Sequence, residues 1–89
     1  MEITSKKRLK EIKTEGNLDI AGGLGVLRVD GDIKVSGNIT IGKGTHIDAG
    51  GHIHAGGYIY ADGYIHARGY IYAGGYIDAG GDIRKNAKK

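Results

Sequence analysis

The chain has 89 residues, a formal net charge of +3 and 18 glycines, with no cysteine, proline, tryptophan or phenylalanine. This length fits one small domain, and the lack of cysteine excludes disulfide bridges and thiolate metal sites. No apolar run approaches the roughly 18 residues that a membrane span needs. No secretory signal is predicted, because the basic residues near the amino terminus precede no apolar stretch. We therefore expect a cytoplasmic protein without a membrane partner.

Residues 1–15 differ in pattern from the rest of the chain. Thr4 or Ser5 can act as a helix N-cap, and Leu9 and Ile12 lie three residues apart, on one helical face. The pattern predicts a short basic helix that caps the following domain and protects its open edge.

Residues 16–84 carry a six-residue repeat. From Ile47 to Ile83 an isoleucine recurs every six residues, followed two positions later by alanine in all but the last repeat and preceded two positions earlier by glycine in most. The alternation predicts short strands with the isoleucine and alanine side chains inside. At the glycines we expect corners with backbone angles that other residues avoid. A fixed hexad with an inward aliphatic residue is typical of a β-solenoid, so the sequence predicts an all-β fold, a single parallel β-helix of about four coils.

Two coil lengths are compatible with this period. Three hexads per coil give a triangular tube with Ile47, Ile65 and Ile83 in one column. Two hexads per coil give a flattened tube, which encloses very little volume, so we favour three sides. The two-hexad columns would be Tyr58–Tyr70, Tyr60–Tyr72, His54–His66 and Tyr64–Tyr76.

The repeat is interrupted twice and then ends. The stretches GGLGVLRVD (22–30) and GKGT (42–45) each add about two or three residues, which we interpret as bulged corners. Residues 85–89 form a basic tail, in which Lys85 takes the alanine position and stops both core and stacking.

The stretch GNITIGKGTHIDAGGHI (37–53) resembles the bactofilin family. That resemblance implies a three-sided right-handed β-helix that polymerises into cytoskeletal filaments. By its period alone the chain is also similar to the hexapeptide-repeat acyltransferases. The residues that match the bactofilin pattern are Gly37, Ile39, Ile41, Gly42, Gly44, Ile47, Gly51 and Ile53.

All tyrosines and histidines stand beside an isoleucine at outward positions. They can act only as cross-strand stackers that shield the backbone, or they can form a binding surface, because exposed tyrosine offers a large contact area at low entropic cost. The predicted binding residues are Tyr58, Tyr60, Tyr64, Tyr70, Tyr72, Tyr76, His52, His54 and His66.

Other sites have weaker signals. His46, Asp48, His52 and His54 are the candidate metal ligands, since zinc accepts nitrogen and oxygen donors. The basic ends could neutralise phosphates, but the repeat body between residues 45 and 83 carries a charge of −3, which argues against direct nucleic-acid binding. The residues of the basic ends are Lys6, Lys7, Arg8, Lys10, Arg84 and Lys85.

The sequence contains no catalytic constellation and no phosphate-binding loop, so we expect neither an enzyme nor a cofactor. The favoured interpretation is a module that binds a protein partner or associates with itself. The first alternative is a small inhibitor from a phage or mobile element that occludes a larger complex, such as a CRISPR effector, because a rigid repeat loses little entropy on binding. The second is a metal or ligand binder that uses the histidines.

Overall fold

The computed structural model describes residues 2–5, 9–81 and 83–84, and its regular elements are all β-strands. Within these residues no helix is long and apolar enough to cross a membrane. The strands are β1 (Glu2–Ile3), β2 (Ile12–Thr14), β3 (Leu18–Ile20), β4 (Gly25–Val29), β5 (Ile33–Val35), β6 (Ile39–Ile41), β7 (Thr45–Ala49), β8 (Ile53–Ala55), β9 (Ile59–Ala61), β10 (Ile65–Ala67), β11 (Ile71–Ala73), β12 (Ile77–Ala79) and β13 (Ile83–Arg84).

These strands form three parallel sheets. Sheet A has the order β1-β3-β6-β9-β12, sheet B has β4-β7-β10-β13, and sheet C has β2-β5-β8-β11. Successive strands belong to successive sheets, so the chain winds into a three-sided β-solenoid of about four turns. We call the outer surfaces faces A, B and C, each including the residue just before every strand of its sheet.

The pairing register confirms three hexads per coil. Ile65 lies between Ile47 and Ile83, at a separation of 18 residues on either side. The two-hexad alternative is wrong, because the ring of Tyr58 stacks on Tyr76 and not on Tyr70.

Aliphatic side chains fill the tube. The isoleucines from Ile33 to Ile65 are at most 2 % exposed, and each buried aliphatic side chain contributes roughly 1.5–3 kcal/mol relative to exposure. The second inward position follows coil length. It is a larger residue such as Ile20 or Ile41 where a coil holds 20 or 21 residues, and alanine where a coil holds 18.

The predicted amino-terminal helix is wrong for the residues that the structure describes. Residues 2–3 and 12–14 are strands of the first coil, with Ile3 and Ile12 only 3 % and 2 % exposed. Ile12 pairs in register with Ile33, and Leu9 forms a bridge to Val29. Burial against the second coil therefore outweighs local helix propensity. The solenoid includes this segment instead of beginning at residue 16, whereas the tail 85–89 lies outside the described residues.

The two irregular corners stack on each other. The N–H of Gly23 donates to the carbonyl of Lys43 at 2.8 Å, and that of Gly25 to the carbonyl of Gly44 at 2.9 Å. Gly23, Gly25 and Gly44 have positive φ angles of 76°, 77° and 86°, which side chains disfavour. The additional residues thus occupy the same place in consecutive coils, and neither corner breaks the stacking.

Thr45 closes the space behind these corners. Among the described residues, Thr45 is the only polar residue that is fully buried. Its hydroxyl donates to the Ala21 carbonyl at 2.6 Å and accepts from the Leu24 N–H at 3.0 Å. Two otherwise unpaired backbone groups are thereby satisfied.

Regular corners use glycine for a different reason from the one that the sequence suggested. None of the hexad glycines from Gly50 onward has a positive φ angle, so the expected unusual backbone angles are absent there. Instead, a Cβ atom on Gly50 or Gly56 would overlap the carbonyl oxygen of Asp30 or Ser36 in the coil below. At these two corners glycine is required by the close approach of two backbones, whereas Asp62 and Arg68 stand at the equivalent position of other corners.

We predict that Gly56→Ala lowers the free energy of unfolding by about 1–3 kcal/mol, the range of overpacked sites. The matched control is Gly75→Ala, because a Cβ there would meet its nearest atoms at 3.5 Å. The control should change stability by about 0.5 kcal/mol or less. Urea denaturation measures both values, and equal losses would contradict the close-approach explanation.

Candidate interaction surface

The three faces differ in charge along their central columns. The strands of sheet A carry no lysine or arginine at all. Face A has Glu2, Asp19, Thr40, Tyr60 and Asp78; face B has Arg28, Asp48 and His66; face C has Lys13, Lys34, His54 and Tyr72. The central columns are therefore acidic on face A, mixed on face B and basic on face C, while Glu11 and Asp32 stand just before the strands of face C.

A second column, at the position just before each inward aliphatic residue, holds the coils together by side-chain acceptors. The N–H of Asn38 donates to Oδ1 of Asn17 at 2.9 Å, and the N–H of Tyr58 donates to Oδ1 of Asn38 at 2.9 Å. Each acceptor belongs to the coil below its donor. The side chain thus caps a backbone group that the strand ladder leaves without a partner.

Two histidines perform the same task. Nδ1 of His52 accepts from the N–H of Tyr70 at 2.9 Å, and Nδ1 of His46 accepts from the N–H of Tyr64 at 3.1 Å. His52 is itself capped from below, since its N–H donates to Oδ1 of Asp32 at 2.8 Å. Accepting at Nδ1 requires the neutral imidazole with its proton on Nε2.

The glycine before each capped residue makes room for the acceptor. A Cβ on Gly63 or Gly69 would overlap Nδ1 of His46 or His52, and one on Gly57 would overlap Oδ1 of Asn38. The Gly-x-Ile start of the hexad therefore works as a unit. Glycine leaves space for the acceptor side chain of the coil below, and the N–H of the next residue donates a hydrogen bond to it.

Stacked rings of histidine and tyrosine join the carboxy-terminal coils in addition to these hydrogen bonds. His46 stacks on Tyr64 with centroids 4.2 Å apart, and Tyr64 also stacks on His66 at 4.1 Å. The other stacked pairs are His52–Tyr70 at 4.0 Å, His54–Tyr72 at 4.9 Å and Tyr58–Tyr76 at 5.1 Å. Such pairs add about 0.5–1.5 kcal/mol beyond area burial, and they hold the rings in fixed positions.

The tyrosines do not share one face. Tyr58, Tyr60 and Tyr76 lie on face A, Tyr64 lies on face B, and Tyr70 and Tyr72 lie on face C. Together they form a belt around the carboxy-terminal half of the tube, which we call the tyrosine belt. Within it Tyr60, Tyr70, Tyr72 and Tyr76 are 38 %, 48 %, 51 % and 60 % exposed.

The candidate metal ligands are not brought together. His46 and Asp48 belong to face B, whereas His52 and His54 belong to face C. Asp48 forms an ion pair with Arg28 at 3.2 Å, and both His46 and His52 use Nδ1 as backbone acceptors. Among the residues described, no three histidine or carboxylate side chains converge on a metal position.

The structure describes only some of the residues of the basic ends. Lys10 is exposed, Arg84 ends β13, and Lys6, Lys7, Arg8 and Lys85 lie outside the described residues. Between faces C and A, a groove of about 590 Å³ runs beside the basic column. It is lined by Lys13, Thr14, Glu15, Lys34, Val35, Ser36, His54 and Gly56.

The negative charge near face A raises the pKa of one tyrosine, Tyr60. The Asp62 carboxylate raises the pKa of Tyr60 above its ordinary value of 10.0, first through its charge and then through the hydrogen bond that the phenol donates to Oδ1 at 3.3 Å. Desolvation contributes next, followed by Asp78 and Tyr76 in the same direction. The shift reflects the negative charge gathered on this side of the tube.

The acceptor column was missed in the sequence, although a signal for it exists. When the hexads are aligned coil on coil, the position before isoleucine changes from Asn17 and Asn38 to Tyr58, and from Asp32 and His52 to Tyr70. Asparagine, aspartate and histidine share a short reach and a side-chain acceptor, which a reading by charge or aromaticity does not reveal.

Comparison with known proteins gives no relative for this chain, since no family model, curated protein or solved structure matches it.

The acceptor role of His52 can be separated from its stacking. We predict that His52→Phe, which keeps the ring but loses the acceptor, lowers stability by about 1 kcal/mol and accelerates exchange of the Tyr70 amide about fivefold. His52→Asn should preserve the protection, because Asn38 performs this role in the neighbouring column. Hydrogen exchange followed by NMR measures the difference. Loss of protection in both variants would assign the effect to stacking.

Removing the Asp62 charge should lower the pKa of Tyr60 towards 10.0. The Tyr60–Asp62 hydrogen bond exists while the phenol is protonated and is lost as pH rises through the pKa of the folded state. NMR titration of the Tyr60 ring in Asp62→Asn measures the change, with Asp48→Asn on face B as control. An unchanged titration in Asp62→Asn would show that Asp62 does not cause the shift.

Proposed function

We propose that this protein is a non-enzymatic β-solenoid whose tyrosine belt binds another protein or a second copy of the chain. The observation that supports this most strongly is the exposure of Tyr70, Tyr72 and Tyr76, which is close to half or more for each ring. Stacking against neighbouring rings holds these three tyrosine rings in place before another protein binds. Preordered aromatic side chains lose little entropy on binding and are common at the centres of interfaces.

The alternative is an inhibitor from a phage or mobile element that occludes a larger complex, such as a CRISPR effector. One observation favours it: face A presents carboxylates at Glu2, Asp19 and Asp78, with Asp62 at the adjoining corner and no cation on its strands. A rigid acidic surface complements the basic channels that hold nucleic acids. Competition with a labelled oligonucleotide for such an effector tests it, and no displacement at saturating protein would reject it.

The tyrosine belt is tested by replacing Tyr70, Tyr72 and Tyr76 with serine and, as a matched control, with phenylalanine. We expect the serine variant to weaken self-association or partner binding about tenfold or more, and the phenylalanine variant to retain most of the affinity, because ring area is the main contribution.

Two measurements cover both kinds of partner. Sedimentation velocity over a concentration series reports self-association. Photo-crosslinking in cells from p-benzoylphenylalanine at position 72 reports other proteins, with position 28 on face B for comparison. A monomer at all concentrations that crosslinks to nothing from position 72 would reject the proposed function.

A further inference from the structure

Two pairs of like charges face each other in register on different sides of the tube. Glu2 pairs directly with Asp19 on face A, and Lys13 pairs directly with Lys34 on face C. Neighbouring parallel strands are about 4.8 Å apart, and like charges directly opposite one another are destabilising. All four side chains are exposed, and no ion pair joins them to another described residue. Each pair therefore disfavours the isolated molecule.

The two unfavourable pairs are complementary to each other, coil by coil. Glu2 and Lys13 belong to the first coil, and Asp19 and Lys34 belong to the second. In the third coil the corresponding residues are Thr40 and His54, and in the fourth they are Tyr60 and Tyr72. The order along both faces is thus charge, charge, hydrogen-bonding group and aromatic ring, with opposite signs at the charged levels.

We infer that a second copy of this chain docks side by side, with its face C against face A of the first. The inference deepens the self-association arm of the proposed function and rests on it. With parallel axes and little shift along them, every lysine in these columns meets a carboxylate, and Tyr72 meets Tyr60. Both like-charge repulsions are relieved by one contact, and the partly exposed rings, at 38 % and 51 %, gain apolar contact.

Face B is unsuited to this role, and on face C only the central column is basic. On face B, Arg28 already pairs with Asp48 at 3.2 Å. Face C also carries carboxylates beside its central column: Asp32 accepts the N–H of His52, Glu11 is exposed just before β2, and Glu15 lines the same groove as Lys13. The central column of face C therefore remains the basic surface that is available to an acidic partner.

The contact joins different faces, so it is heterologous and either closes into a ring or continues. Because adjacent faces of a three-sided tube are inclined by about 120°, the ideal geometry closes on about six copies, with face B directed outward. The proposed partner at each of these contacts is another copy of this chain.

The test inverts the charges of one face at a time in the full chain. Glu2→Lys with Asp19→Lys makes both faces basic, and Lys13→Glu with Lys34→Glu makes both acidic. We expect the wild-type protein to associate at low salt and to dissociate as salt rises. Each double variant should be monomeric at the same concentration, and an equimolar mixture of the two should restore the association. Sedimentation velocity gives all four results, and circular dichroism verifies that each variant is folded.

The control exchanges the face B pair, Arg28→Asp with Asp48→Arg, and should associate as the wild type does. Three outcomes would overturn the inference: a monomeric wild type at low salt, association that survives both inversions, or a mixture that stays monomeric. If the serine replacements in the tyrosine belt abolish association while the charge inversions do not, the inference fails and the proposed function stands. If both sets of variants leave association unchanged, the self-association arm of the proposed function fails as well.

Discussion

The close approach of one coil to the next at the corners is the constraint on which the rest of this structure depends. Parallel backbone bonds set the spacing of the coils, and at that spacing a Cβ on Gly50 or Gly56 would occupy the position of a carbonyl oxygen. Glycine at the corners lets identical short strands lie above one another. The continuous isoleucine core, the fixed outward columns and the stacked rings all follow from that alignment.

Much of this architecture could be predicted from the period of the sequence, because burial, alternation and corner residues agree over residues 47–83. The first coil could not, since its spacing is irregular and its basic residues favour a helix locally. The extended form of residues 12–14 becomes favourable only through pairing with the second coil, where Ile12 lies opposite Ile33. The actual reason for the corner glycines was likewise hidden, because it lies in a neighbouring coil and not in the φ angle of the residue itself.

The candidate surface was predictable in composition but not in arrangement. That tyrosine and histidine point outward follows from alternation alone. Their distribution over three faces depends on coil length, which the period left open. The backbone-capping role of His46 and His52 depends on a contact 18 residues along the chain, so a view of the hexad by itself suggests a metal ligand. The opposite charges in the central columns of faces A and C also become visible only when every third strand is placed in one sheet.

The acceptor columns give the tube a polarity. Within these columns every capping side chain serves the coil above it, and the last N–H groups that are capped in this way belong to Tyr58, Tyr64 and Tyr70. The last strand of sheet A, β12, is added above Tyr58, where the ring of Tyr76 stacks at 5.1 Å and no side-chain acceptor of a described residue is used. The side-chain contacts between coils thus change along the tube, from hydrogen-bond acceptors in the lower coils to stacked rings in the upper ones.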